Sequence, residues 1–282
     1  MVKDSYDSAV AIYMTQEKIR FDPPFLAHYQ QAHLDTLHEI IGELPLFPGD
    51  RVLDATCADG FYSLALAKRV VPGGSVVGLE HDSDELAQVR AMANNSGLGK
   101  AIALKHGEVN ALPFDANSFD FVWAVQQRIE PFQFEDVLQQ IQRVVRPRGY
   151  VAMLYQNLFA TTQITWPAEL KQPIHQAMIE AGLVPQDPGE YDLELAQAFT
   201  HAGLIVTSNT PYVSVRRLPL NNDERNYLSS YLSQLSHYLQ PWLAPEYFAQ
   251  LSQLCEPDSA DSLLNRVDFQ LTYRDQVILA HK

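Results

Sequence analysis

Arg51-Val52-Leu53-Asp54-Ala55-Thr56-Cys57-Ala58-Asp59-Gly60-Phe61-Tyr62-Ser63-Leu64-Ala65-Leu66-Ala67 decides how the chain is read. Val52-Leu53 is a short apolar strand. An acid, Asp54, closes it. Small residues follow up to one glycine, Gly60. The segment then leaves as a helix, with Phe61, Leu64, Ala65 and Val70 as its apolar positions. Strand, tight turn of small residues and helix together open a βαβ unit.

Outward from this stretch the alternation continues. Ser75–Glu80 is a second strand, apolar on both faces and ending in an acid. Asp82 and Glu85 then stand as N-cap and third residue of a helix that runs to about Asn94 and stops at Asn95-Ser96-Gly97. Ala101–Leu104 is a third strand, Ser118–Ala124 a fourth and Tyr150–Tyr155 a fifth. Between the last two lies an amphipathic helix from Phe134 to Val145, ending at Pro147-Arg148-Gly149. Strands alternating with helices predict a doubly wound parallel sheet. Its ligand belongs beyond the carboxyl ends of the strands. Asp54, Glu80, Glu108 and Gln126 all follow strand ends.

The flanks are less regular. Tyr13–Arg20 and His28–Leu44 carry helical spacing, with Asp22-Pro23-Pro24 as a predicted interruption. His28, His33 and His38 recur every five residues, about 140° apart on a helix, so they share no face and form no metal site. Asn157–Gly189 is predicted helical with proline breaks at Pro167, Pro173, Pro185 and Pro188. A helix over Leu193–Ala202, a strand over Leu204–Leu218, helices over Asp223–Leu239 and Pro245–Leu254, and a strand over Val267–Ala280 complete the chain. Tyr227, Tyr231, Tyr238, Trp242, Tyr247 and Phe248 are either core or the wall of an apolar or aromatic ligand site.

Composition narrows the function classes. The 282 residues are 46% hydrophobic, enough for a substantial core. A net charge of −14 disfavours a nucleic-acid partner. The two cysteines, Cys57 and Cys255, offer neither a disulfide framework nor a zinc cluster and suit a reducing compartment. No apolar run reaches the length of a membrane span. A cytoplasmic protein without membrane insertion is expected.

Five stretches, in order, resemble the class I S-adenosylmethionine (SAM) dependent methyltransferases, small-molecule type, similar to those of ubiquinone and menaquinone biosynthesis. Asp54–Gly60 resembles the acid-x-Gly-x-Gly-x-Gly turn, with Thr56 and Ala58 where the family has glycine. Glu80, 26 residues after Asp54, resembles the acid that holds the ribose hydroxyls. His106-Gly107-Glu108-Val109 resembles the Gly-Asp-Ala element that meets adenine. Leu112–Val122 resembles Leu-Pro-Phe-x-x-x-Ser-Phe-Asp-x-Val, and Arg143–Tyr150 resembles Arg-Val-Leu-Lys-Pro-Gly-Gly.

The resemblance implies an α/β, Rossmann-like, doubly wound seven-stranded sheet with the last strand antiparallel, plus mostly helical cap insertions. It divides the chain into an N-terminal helical lid (1–48), a SAM-binding core (49–156), a helical insertion (157–192), a core helix and strand (193–218), a helical cap (219–266) and a last core strand (267–282). It implies SAM as cofactor, bound by Asp54, Thr56, Ala58, Gly60, Glu80, His81, Glu108, Val109 and Gln126. The implied activity is methyl transfer to a small, apolar or aromatic organic molecule. Ala124-Val125-Gln126-Gln127-Arg128 differs from the Asn/Asp-Pro-Pro-Tyr/Phe of amine and nucleobase methyltransferases. No residue is assigned to catalysis and none to a metal. Gln126 and Gln127 either position a substrate or face solvent, and His81 either flanks adenine or is a surface histidine. The competing reading is a SAM-binding protein of this fold without transfer activity, regulatory or using SAM in another reaction.

Overall fold

The computed structural model describes residues 23–126, 129, 133–156, 159, 162–184 and 188–282. The helix expected over Tyr13–Arg20 and the side chain of Gln127 lie outside these residues. The chain divides into two compact units. The first takes residues 1–37, 157–191 and 213–274, the second 38–156, 192–212 and 275–282.

The second unit is built on strands β1 (Arg51–Asp54), β2 (Ser75–Glu80), β3 (Ile102–His106), β4 (Phe119–Val125) and β5 (Val145–Tyr155). They run parallel in the order β3-β2-β1-β4-β5. The far half of β8 (Gln270–His281) pairs antiparallel to β5, from Tyr150 opposite His281 to Tyr155 opposite Gln276. β7 (Ile205–Arg217) also pairs with β8. Near its start the Thr207 hydroxyl donates to Leu279 O at 3.0 Å, and Gln276 Nε2 donates to Asn209 Oδ1 at 2.6 Å. This is the doubly wound, Rossmann-like arrangement with an antiparallel strand. β1, β2 and β4 are buried on both faces, as their unbroken apolar runs require.

Helices α3 (Phe61–Val70), α4 (Ser83–Asn95) and α5 (Phe134–Val144) connect the strands. On α5 the buried face is Phe134, Val137, Leu138, Ile141 and Val144, one stripe at helical spacing. On α3 it is Tyr62, Ser63, Leu66, Ala67 and Val70. Of the expected face, Val70 is buried while Phe61, Leu64 and Ala65 are only half-buried. The helix is rolled about its axis because Ser63 turns inward to a buried acid. Pro147-Arg148-Gly149 lies inside β5 instead of ending the helix, with a register shift opposite Phe119–Phe121. β3 extends to His106, past its expected end at Leu104.

The first unit holds α1 (Pro23–Ala32), α6 (Ala168–Glu180), α8 (Asn222–Leu239), α9 (Pro245–Cys255), a short strand β6 (Thr162–Ile164) and the near half of β8. α1 begins at Pro23-Pro24, where a first turn has no N–H bonds to lose; the residues before them lie outside those described. α2 (Leu34–Glu43) follows after His33 and buries Leu37, Ile40 and Ile41. α7 spans Pro188–His201. Tyr227 and Tyr231 of α8 are core residues, whereas Trp242 is 47% exposed. Tyr29, His33, Tyr227 and Tyr273 form one ring cluster, with His33 stacked on Tyr29 at 4.1 Å and edge-on to Tyr273 at 4.0 Å.

Among the described residues there are eight strands, not seven. The additional one is β6, inside the segment expected to be helical, paired antiparallel with Leu271–Tyr273. Pro173 sits within α6 without ending it. The carbonyl that loses its donor is that of Glu169, an exposed residue.

Candidate functional site

The carboxyl ends of β1, β2 and β4 meet where the strand order reverses, between β1 and β4. Asp54 ends β1 and is fully buried; its Oδ2 accepts from the Ser63 hydroxyl at 2.7 Å. This bond ties the strand end to the first turn of α3. Between them Ala55 N donates to Trp123 O at 2.9 Å, and Cys57 N to Leu79 O at 3.1 Å. The turn is thus stitched to β4 on one side and β2 on the other.

Thr56 and Ala58, the two departures from glycine, each have a structural task. The Thr56 hydroxyl accepts from Val125 N at 2.9 Å and closes the β1–β4 gap. Ala58 has φ 39°, the left-handed region that glycine enters without cost. Its N–H donates to Glu80 Oε2 at 3.0 Å, which holds it there. Gly60 has φ 81°, and an added Cβ would lie 2.5 Å from Val89 Cγ1 of α4. Glycine is required at that position by both conformation and space. Gly78 serves the same packing: a Cβ there would lie 3.0 Å from Cys57 Sγ.

Glu80 is the hub. Only 7% of it is exposed. Besides Ala58 N–H it accepts from His81 N at 2.7 Å and Asp82 N at 3.1 Å, both on Oε1. His81 Nδ1 lies 2.6 Å from the same oxygen, although the ring is 71% exposed. Asp82 caps α4 by accepting from Asp84 N and Glu85 N, which hold its carboxyl below the usual range. The Glu80 carbonyl accepts from Gly107 N at 3.1 Å, fixing the loop after β3. Glu108 and Val109 begin the 3-10 turn of that loop, Glu108 exposed and Val109 half-buried. Gln126 follows β4 and is buried, and its Oε1 has no partner among the described residues.

All nine residues singled out from the sequence therefore fall on one connected set of strand ends. Direct bonds join Thr56 to β4, Ala58 to Glu80 and Glu80 to the His81 backbone. Ser63 was missed, because a helix read for its apolar face hides an inward hydroxyl. Arg143 was read only as part of a motif. Its guanidinium donates to Leu112 O at 2.8 Å and Phe114 O at 2.6 Å. Two of the five resembling stretches are thus joined by one structural clamp.

Residues 52–149 match the family model described as Methyltransferase domain. The chain is 35% identical over 112 residues to the demethylmenaquinone methyltransferase of Lactobacillus johnsonii, covering 40% of this chain and 46% of that one. It is 31% identical over 136 residues to the protein of the same name from Geobacillus kaustophilus, covering 45% and 58%. The chain spans about half the length of the curated relatives it matches. Among solved structures it resembles YcgJ of Bacillus subtilis with a TM-score of 0.55, 15% identity, and coverage of 89% of this chain and 99% of that one. A protein of Bacillus halodurans gives a TM-score of 0.52 at 14% identity, covering 87% and 98%. These structures share the fold.

Proposed function

We propose that this chain, with its methyltransferase-family segment over residues 52–149, is a SAM-dependent methyltransferase of a small organic molecule. The observation that carries the reading is the Glu80–Ala58 bond. The acid ending β2 faces the β1–α3 turn and holds its alanine in a glycine-like conformation.

The residues fit the cofactor. A carboxylate has about four acceptor sites. Glu80 Oε1 is filled by two N–H groups and His81 Nδ1, and Oε2 receives Ala58 N–H. With three backbone N–H groups on the carboxylate, one acceptor site on Oε2 is left for a ribose hydroxyl, and the exposed His81 ring leaves room beside it. The unpartnered Gln126 carbonyl oxygen suits an ammonium group. Asp54, already bonded to Ser63, shapes the turn. Gly60 and Thr56 fix its course, and Glu108 with Val109 N–H suits an adenine edge. When bound, SAM supplies an electrophilic methyl on a sulfonium. The protein's part is to hold both reactants in line and exclude water, so a general base is optional.

The family segment stops at residue 149. Residues 1–48, 157–192 and 219–266 lie outside it, and we assign acceptor specificity to these cap segments. An apolar or aromatic acceptor accords with the names of the curated relatives. Two buried cysteines that form no disulfide accord with a cytoplasmic location, which cell fractionation checks.

Calorimetry with SAM and S-adenosylhomocysteine tests the cofactor, and a labelled-methyl screen of small aromatic metabolites tests transfer. Glu80→Ala is expected to weaken SAM binding at least tenfold. Absence of heat at millimolar SAM would sink the proposal. Binding without methyl transfer to any acceptor would favour the passive binder.

A further inference from the structure

The first unit contains a cavity of about 470 Å³. This is within the range of small-ligand sites, about 300–1,000 Å³. One wall is a single face of α6: Lys171, Ile174, His175 and Met178, spaced three and four apart. The facing wall is polar. Gln163 stands opposite Thr272 in the β6–β8 register, and Thr165 N donates to Gln270 O at 2.9 Å. Ile174, Met178 and Val184 are buried at the floor, whereas Lys171 and His175 are exposed at the rim.

The charge distribution is selective. The chain has 34 acidic and 20 basic residues. Yet among the described residues both ionisable groups lining this cavity are basic, four residues apart on one helix. Arg217 stands behind Gln270, donating to its Oε1 through Nε at 2.9 Å and Nη2 at 2.7 Å. That leaves the Gln270 amide NH₂ as a further donor. A −14 chain repels anions on average, so an apolar floor beneath an all-basic rim defines a local exception.

We infer that this cavity binds a small carboxylate with an apolar or aromatic body, the carboxylate meeting Lys171 and His175 and the body covering Ile174, Met178 and Val184. The inference stands independently of methyl transfer. It neither requires nor excludes that the occupant is the methyl acceptor.

The full chain titrated by calorimetry with 1-naphthoate, and with the uncharged 1-naphthamide, tests it. Trp166, which lines the cavity, reports through its fluorescence. Naphthoate is expected to bind and to quench Trp166. Lys171→Glu should weaken it by about tenfold or more, the scale of a charge-assisted hydrogen bond. Naphthamide should bind more weakly and be indifferent to that substitution. Lys171 is exposed, so the variant should melt with the wild type; His175→Gln provides a milder second variant, expected to weaken naphthoate. Naphthoate that fails to bind at millimolar concentration overturns the proposal. So does equal binding of acid and amide, or an affinity unchanged in both folded variants.

Discussion

His33→Phe should remove a defined part of the acid sensitivity of this protein. His33 is fully buried, and its Nδ1–H donates to Tyr29 O at 2.7 Å. Among the described residues its Nε2, surrounded by the rings of Tyr29, Tyr227 and Tyr273, has no partner. Burial first, and the Arg216 charge less so, lower its pKa from 6.5 to about 3, against the opposing effect of the Tyr29 carbonyl. The unfolded chain therefore takes up a proton near 6.5, while the folded chain resists until about 3. Stability is full above the unfolded value and falls as pH drops through this window. Each pH unit inside it is worth about 1.4 kcal/mol. Between about pH 7.5 and about pH 5 the wild type should lose about 2 kcal/mol through His33 alone. Urea unfolding at both pH values measures this, with Trp166 and Trp242 reporting from the same unit. The stability difference between His33→Phe and wild type should shift by that amount in favour of the variant at the lower pH. Parallel stability curves would refute a neutral, unprotonated His33.

Three further outcomes follow from the turn and the cysteines. Thr56→Val, nearly isosteric, leaves the buried Val125 N–H unpaired and should cost about 1–3 kcal/mol in urea unfolding. Gly60→Ala should cost about 2 kcal/mol or more, from its φ and from Val89; Ala58→Gly should be near neutral, because relieved strain of about 1 kcal/mol is offset by chain entropy and a lost buried methyl. Comparable thermal shifts in the two variants would contradict this contrast. Burial pushes the Cys255 thiol up to about 12, and Cys57 is also buried; iodoacetamide at about pH 8 should label neither in the folded protein and both in urea.

The doubly wound half was legible because its strands are unbroken apolar runs and its helices carry punctuation that local chemistry enforces. Ser75–Glu80 is bounded by Gly74 and by the Asp82 cap, and the strand occupies that interval. The acids of the site were legible because they terminate strands. What failed to show was whatever depended on distant partners. β6 is three residues long and exists through Leu271–Tyr273, far along the chain. Ser63 turns inward only because Asp54 is there to receive it. The Thr56 hydroxyl reads as an intruder in a glycine motif until Val125 N is placed beside it. Pro173 reads as a helix break, since sequence does not reveal that the residue whose carbonyl loses its donor, Glu169, is exposed.

The left-handed alanine has a wider consequence. A glycine in such a turn is a permit: it makes the bend cheap without requiring it. At Ala58 the permit is absent and the bend persists, because a carboxylate from the neighbouring strand acts as a mould around its N–H. The shape of this loop is thus encoded at residue 80 as much as at residues 54–60. A pattern that tallies glycines measures tolerance; the mould is what carries the shape, and it is read from the acid that ends the next strand.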